Sequence, residues 1–205
     1  MAAAAPVALR MPLAPEEAAR ADFYSLIARL LARGPDAALL TQLGAAPSIP
    51  GDTPLAKAWQ ALVDASRAMD AEAASEEYDD LFSAPGKAPV SIYAGYYSGA
   101  SAVAHPRVRI QQDLAAAGLE HRVTTEPEDH FAAIFDALRV LVAGTPQRAP
   151  ATIARQREFF DAHVRPSAAK FFAALARAKR ANYYRRVAAF GAAFVAVEGE
   201  AFLLD

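Results

Sequence analysis

The chain has 205 residues, of which 54% are hydrophobic, with a formal net charge of −2 and no cysteine. That is enough chain for one domain with a real core. The missing thiols exclude disulfides, zinc–thiolate and iron–sulfur ligation, and cysteine nucleophiles.

Residues 1–14 are rich in alanine and proline. Arg10 comes late, and Pro6 and Pro12 interrupt the apolar residues, so the basic-then-apolar order of a secretory signal is missing. A disordered tail is expected there, ahead of a domain over 15–205. No uninterrupted apolar run reaches the roughly 18 to 20 residues of a membrane span, so the expectation is a cytoplasmic protein without stable membrane insertion.

The first helix signal is Pro15 at a first helical turn, with Glu16 and Glu17 at the positive end of the dipole. Phe23, Leu26, Ile27, Leu30 and Leu31 then follow the spacing of one buried helical stripe, which Gly34-Pro35 ends. Leu39, Leu40 and Leu43 predict a short second helix stopping at Gly44. Thr53 reads as an N-cap with Pro54 at the first position of a third helix, whose stripe is Leu55, Trp59, Leu62, Val63 and Met69. An acidic helix follows, from Ala71 to Phe82.

Glycine and proline punctuate the stretch from Ser83 to Ser101 too often for a regular element, and Tyr93, Tyr96 and Tyr97 lie within it. Helical signal resumes near Pro106 with Val108, Ile110 and Leu114, and stops at Gly118. The spacing of Phe131, Ile134, Phe135, Leu138, Leu141 and Val142 predicts a helix over 126–143. Its start is marked by a capping box from Thr125 to Glu128 or by Pro127. Three further helices carry Phe159 and Phe160, then Phe171, Phe172 and Leu175, then Tyr184, Val187, Phe190, Phe194 and Val195. No segment alternates like a strand, so the expected fold class is all-α, a single-domain bundle of about eight to ten helices.

Phosphate loops, dinucleotide-binding turns and nucleophile elbows are absent from the sequence. Charge is uneven: residues 139–186 hold 11 Lys/Arg and only Glu158 and Asp161 as acids. Nucleic-acid binding through Arg177, Lys179, Arg180, Arg185 and Arg186 is one use of that bias. The overall acidic balance and the lack of a recognised motif favour a solvated basic helix surface instead.

Two clusters carry chemistry. Tyr78, Leu81 and Phe82, at i, i+3 and i+4, form an apolar patch beside Glu76, Glu77, Asp79 and Asp80. Read as helix, Glu126, Asp129 and His130 share a face in the same way. A metal site is one reading of the second cluster, giving a helical metalloprotein or metalloenzyme built on Asp129 and His130. Acid–base catalysis by that pair is another. Neither has a partner motif, and a capping and recognition role takes most of the weight.

Together the clusters resemble the aromatic-x-x-Leu-Phe and E-P-x-D-H motifs of the TorD/DmsD family of redox-enzyme maturation chaperones. The order between them is similar too, with Pro85-Gly86, a Pro89-to-Tyr93 stretch and Gly118-Leu119-Glu120, and the resemblance runs from Ala18 to Phe202. Val90 and Ser167 depart from the aromatics usual there. The resemblance implies an all-helical chaperone with no cofactor and no activity of its own. It would bind the twin-arginine leader and apo-form of a molybdoenzyme catalytic subunit, of the dimethyl sulfoxide or trimethylamine oxide reductase or formate dehydrogenase type. The state would be monomer or domain-swapped dimer. Carried over, the client-binding residues are Tyr78, Leu81, Phe82, Glu126, Pro127, Asp129 and His130, with Tyr93 from the intervening loop.

Overall fold

A computed structural model describes residues 13–83, 88–99, 106–116 and 128–204. Within them lie nine α-helices: α1 (Pro15–Ala32), α2 (Ala37–Gly44), α3 (Pro54–Ala68), α4 (Ala71–Phe82), α5 (Pro106–Ala116), α6 (Phe131–Ala143), α7 (Ile153–His163), α8 (Ala168–Arg177) and α9 (Tyr183–Leu204). A single 3₁₀ turn, Ala94–Tyr96, interrupts the loop after α4. No strand occurs among the described residues, only isolated bridges between Tyr93 and His130 and between Thr145 and Arg148. The fold is all-α, as expected. The tail assigned to 1–14 lies outside the described residues as far as residue 12.

Local chemistry explains most helix starts. Pro15 opens α1 with Glu16 and Glu17 in its first turn. The side chains of Asp36, Thr53, Asp70 and Thr152 each accept a backbone N–H at the starts of α2, α3, α4 and α7, satisfying donors with no partner inside the helix. At Gly34 an added Cβ would lie 2.6 Å from the Cα of Ser75, so the turn after α1 passes against α4 without room for a side chain.

The core forms where α1 lies along α6 and α9 packs against α3 and α8. Phe23, Trp59, Phe190 and Phe194 meet ring to ring between α1, α3 and α9. Tyr24 packs edge-on against Phe194 and donates its hydroxyl to Glu198 Oε2 at 2.6 Å. Arg20 reaches the same buried carboxylate with two nitrogens, at 2.8 to 3.1 Å. Burial alone would lower the Arg20 guanidinium, but Glu198 and Glu17 outweigh it and hold it above its ordinary value. Helix α9 is long and apolar enough to cross a bilayer by length and composition. Here its buried side carries the centre of the core, and the carboxylate upon it is neutralised by Arg20.

Between α5 and α7 lies a polar cleft of about 540 Å³ lined by Arg109, Asp113, Arg155 and Glu158 among others. At its edge the buried His163 bonds through Nε2 to Asp113 Oδ2 at 2.7 Å. Burial pushes the imidazole below its ordinary 6.5, helped by Arg109 and Arg155 and opposed by Asp113.

Two outcomes follow from this packing. A methyl group at Gly191 would overlap the buried Phe172 ring. Overpacking of about 1–3 kcal/mol exceeds the roughly 1 kcal/mol that alanine gains in helix propensity. Gly191→Ala is therefore expected to lower Tm, and an unchanged Tm would show slack between α8 and α9. Because the folded state disfavours protonated His163, its contribution is complete above pH 6.5 and declines as pH falls below that toward the lowered folded value. Thermal melts from pH 8 to pH 5 are expected to fall more steeply for the wild type than for the non-titrating His163→Asn.

Candidate functional site

The last turn of α4 sets one side of the site. Leu81 is fully buried, a core residue rather than part of a surface, while Tyr78 and Phe82 are half-buried. Their rings lie 5.0 Å apart, and both rest on Tyr184 of α9, at 5.9 and 5.5 Å. The phenol of Tyr78 donates to the Leu31 carbonyl at 3.1 Å, and that of Tyr184 to the Leu30 carbonyl at 2.9 Å. These are final-turn carbonyls of α1 with no partner further along the helix. The two tyrosines thus tie α4 and α9 to the end of α1.

Glu77 completes that tie. Its Oε1 accepts the backbone N–H groups of Asn182 and Tyr184, both at 2.8 Å, and its Oε2 accepts that of Tyr183 at 3.0 Å. One carboxylate therefore caps the start of α9, which has no acid in its own first turn. Asp80 pairs with Arg180 at 2.5 Å, and Glu128 accepts from Gln111. Glu77, Asp80 and Glu128 are thus engaged in contacts within the fold, while Glu76 and Asp79 are exposed.

Residues 88–97 form a strap that lies between the end of α4 and the start of α6. The Val90 N–H donates to the Leu81 carbonyl at 3.2 Å, the Ala94 N–H to Asp129 at 2.8 Å, and the Phe131 N–H to Ile92 at 3.1 Å. Tyr97 fastens the strap internally, its hydroxyl donating to the Ser91 carbonyl at 2.9 Å. Burial, with Tyr96 alongside, pushes that phenol up to about 12, against the opposing effect of the Ser91 bond. Lys170 of α8 holds the strap from below, donating to the Tyr97 carbonyl at 3.0 Å.

The strap corrects the expected helix over 126–143. Helix α6 begins at Phe131, and His130 before it is extended, at φ −65° and ψ 129°. Pairing with the strap holds Asp129 and His130 out of helical geometry, so they do not share a helix face. The N-cap is neither Thr125 with Glu128 nor an acid. It is the imidazole of His130, whose Nδ1 accepts the Ala132 N–H at 3.1 Å, leaving the ring proton on Nε2. Asp129 and His130 are both about 95% buried, and the His130 ring meets Tyr93 edge to face at 5.5 Å. Thr125, Glu126 and Pro127 lie outside the described residues. Among the described residues no group of three or more His, Asp or Glu could hold a metal ion, so the structure adds nothing to the metal reading of Asp129 and His130.

The two clusters meet through Phe171. Its ring stacks on Phe131 at 4.3 Å, lies 5.8 Å from Tyr97 and reaches Phe82 at 6.5 Å. An aromatic seam thus runs from the end of α4, through α8 and the strap, to the start of α6. Tyr78 and Phe82 stand at one end of it, and Tyr93, Asp129 and His130 at the other. The sequence placed Phe171 and Tyr184 on helices without assigning either to the site. Val90 and Ser167, where the sequence lacks the family's aromatics, are both buried, and the Ser167 hydroxyl donates to the His163 carbonyl at 3.0 Å.

Glu77→Ala should cost about 2 kcal/mol, the scale of hydrogen bonds to a charged group. It should also loosen the Tyr184 floor beneath Tyr78 and Phe82. Glu77→Gln, which keeps one acceptor oxygen, should fall between. Chemical denaturation measures both, and equal stability of all three proteins would mean that the cap contributes nothing.

Compared with known families, residues 50–173 match the model of the nitrate reductase delta subunit. No curated protein matches the chain. The matched region runs from α3 into α8 and includes the acidic helix, the strap, the His130 turn and Phe171. It covers more than half of the sequence, and the chain accordingly belongs to the nitrate reductase delta subunit family, a family of molybdoenzyme maturation chaperones.

Proposed function

We propose that this chain is a client-specific chaperone with no catalytic activity of its own. It holds the N-terminal twin-arginine leader and the apo-form of a molybdopterin oxidoreductase catalytic subunit in the cytoplasm, assists cofactor insertion and delays export until the client is complete. The observation that carries this reading is the aromatic seam with the motif residues at its two ends. A leader offers an arginine pair followed by an apolar segment. The half-buried Tyr78, Phe82 and Tyr93 offer apolar ring surface to such a segment. The exposed Glu76 and Asp79 supply long-range attraction for the arginines. Asp129 and His130, with Glu126 and Pro127 outside the described residues, are the proposed contacts at the far end.

Leu81 acts differently in this scheme. Fully buried, it anchors the patch from beneath, and its carbonyl receives the strap. The family partners with a nitrate reductase catalytic subunit, which makes that client the first to test, ahead of the dimethyl sulfoxide, trimethylamine oxide and formate enzymes.

Fluorescence anisotropy with a labelled leader peptide of a nitrate reductase catalytic subunit tests the site. The combined Tyr78→Ala and Phe82→Ala variant is expected to lose at least about tenfold in affinity, close to 1.4 kcal/mol. Asp129→Asn, which keeps size and removes charge, should lose a similar factor. Raising salt should weaken wild-type binding by screening the acids. Circular dichroism establishes that each variant is folded. Folded variants that bind the leader as tightly as the wild type would refute the site.

A further inference from the structure

Phe171 and Phe172 are adjacent on α8, their rings 5.0 Å apart, but border different features. Phe171 belongs to the aromatic seam, whereas Phe172 lines a groove of about 250 Å³ between α8 and α9. Ala169, Ala173 and Ala176 form one wall of this groove, and Ala189, Ala192 and Val195 the other. Its lining is almost wholly apolar, and Ala169, Ala189 and Ala192 are exposed. Helix α9 is apolar over most of its circumference, yet only 44% of its most apolar window is buried. A helix of that character is ordinarily covered on all sides.

One end of the groove runs into the corner between the two helices. Arg177, Lys179, Arg180, Arg185 and Arg186 gather there, all exposed, with no acid between Arg177 and Arg186. Arg185 continues the Ala189–Ala192–Ala196 stripe by one turn, and its Nε donates to the Ala176 carbonyl at 3.2 Å, closing that end. Arg180 is paired with Asp80. Arg185 and Arg186 occupy the first turn of α9, where cations oppose the helix dipole. Arg185 is explained by its bond to the Ala176 carbonyl at the end of α8, whereas the exposed Arg186 only opposes the dipole, and a local rule broken in this way points to a use.

The shape selects among partners for a basic corner. Alanines recessed in a groove are too short to enter a bilayer as interfacial helices do. A nucleic acid would use the charge and leave the apolar groove empty. A third helix would use both, its ridge of larger side chains filling the groove between α8 and α9. We propose that the α8–α9 groove docks an amphipathic helix of a protein partner. The helix lays its apolar ridge along the groove, and acidic residues at one of its ends meet Arg177, Lys179 and Arg186. The groove lies across α8 from the leader site and does not depend on that assignment.

The probe is a synthetic helical peptide with leucines at i, i+4, i+7 and i+11 and glutamates clustered at one end, titrated into the full chain. Saturable binding that weakens with salt is expected. Ala192→Gln, which fills the groove at an exposed position, should lower the affinity at least about tenfold, and so should the double variant Arg177→Gln, Arg186→Gln. Both should keep the wild-type Tm, and a peptide carrying lysines in place of the glutamates should not bind. Failure of the acidic peptide to bind, equal binding of the lysine peptide, or indifference to Ala192→Gln would each overturn the proposal. Phosphatidylglycerol vesicles and a DNA duplex are run alongside. Capture of either one without the peptide, lost in the arginine double variant and kept in Ala192→Gln, would reassign the corner to a polyanion and equally overturn it.

Discussion

A single carboxylate, that of Glu77, holds together the parts of the molecule on which the site depends. Helix α9 starts with tyrosines and arginines and supplies no acid to its own first turn. Its leading N–H groups would be left without partners, and its dipole uncompensated, if α4 did not present Glu77 to them. The same contact fixes the angle at which Tyr184 arrives beneath Tyr78 and Phe82. Tyr78 and Tyr184 then cap neighbouring carbonyls at the end of α1. Three helices distant in sequence are joined by polar groups placed one residue apart, Glu77 beside Tyr78 and Tyr183 beside Tyr184.

The strap performs the second half of that task. It leaves α4 at the Leu81 carbonyl and reaches α6 through paired backbone groups at Ile92, Ala94, Asp129 and Phe131. These bonds are few, but each end is sealed by a fully buried side chain, Leu81 or Phe131. Lys170 and Phe171 of α8 support the strap from the other side. A surface of this kind stays ordered on one face by packing and leaves the other to a ligand. That suits the role proposed for it, holding a client's leader.

The helices were largely legible in the sequence, because the rules for them are local. Pro15 with its two glutamates, Thr53 before Pro54, and the leucine spacing of α2 each act within one or two turns, and each element appears where those signals put it. The start of α6 was misplaced for an instructive reason. Glu126, Asp129 and His130 do carry helical spacing, but spacing says nothing about a backbone pairing with residues some 40 positions earlier. That pairing draws His130 into an extended conformation and turns its imidazole into the cap.

The candidate site divides along the same line. Composition and periodicity were enough for an all-α class, and the two motifs were enough to propose which residues carry recognition, since both are properties of a few consecutive side chains. Only the tertiary structure assigned their partners: Leu81 to the core, Tyr78 to the Leu31 carbonyl, Glu77 to α9, and Phe171 to the space between the motifs. Helix propensity and amphipathic pattern act through bonds to residues three or four positions away. Caps, straps and ring stacks between distant segments depend on how whole helices come to lie against one another, and no local stretch of sequence encodes that arrangement.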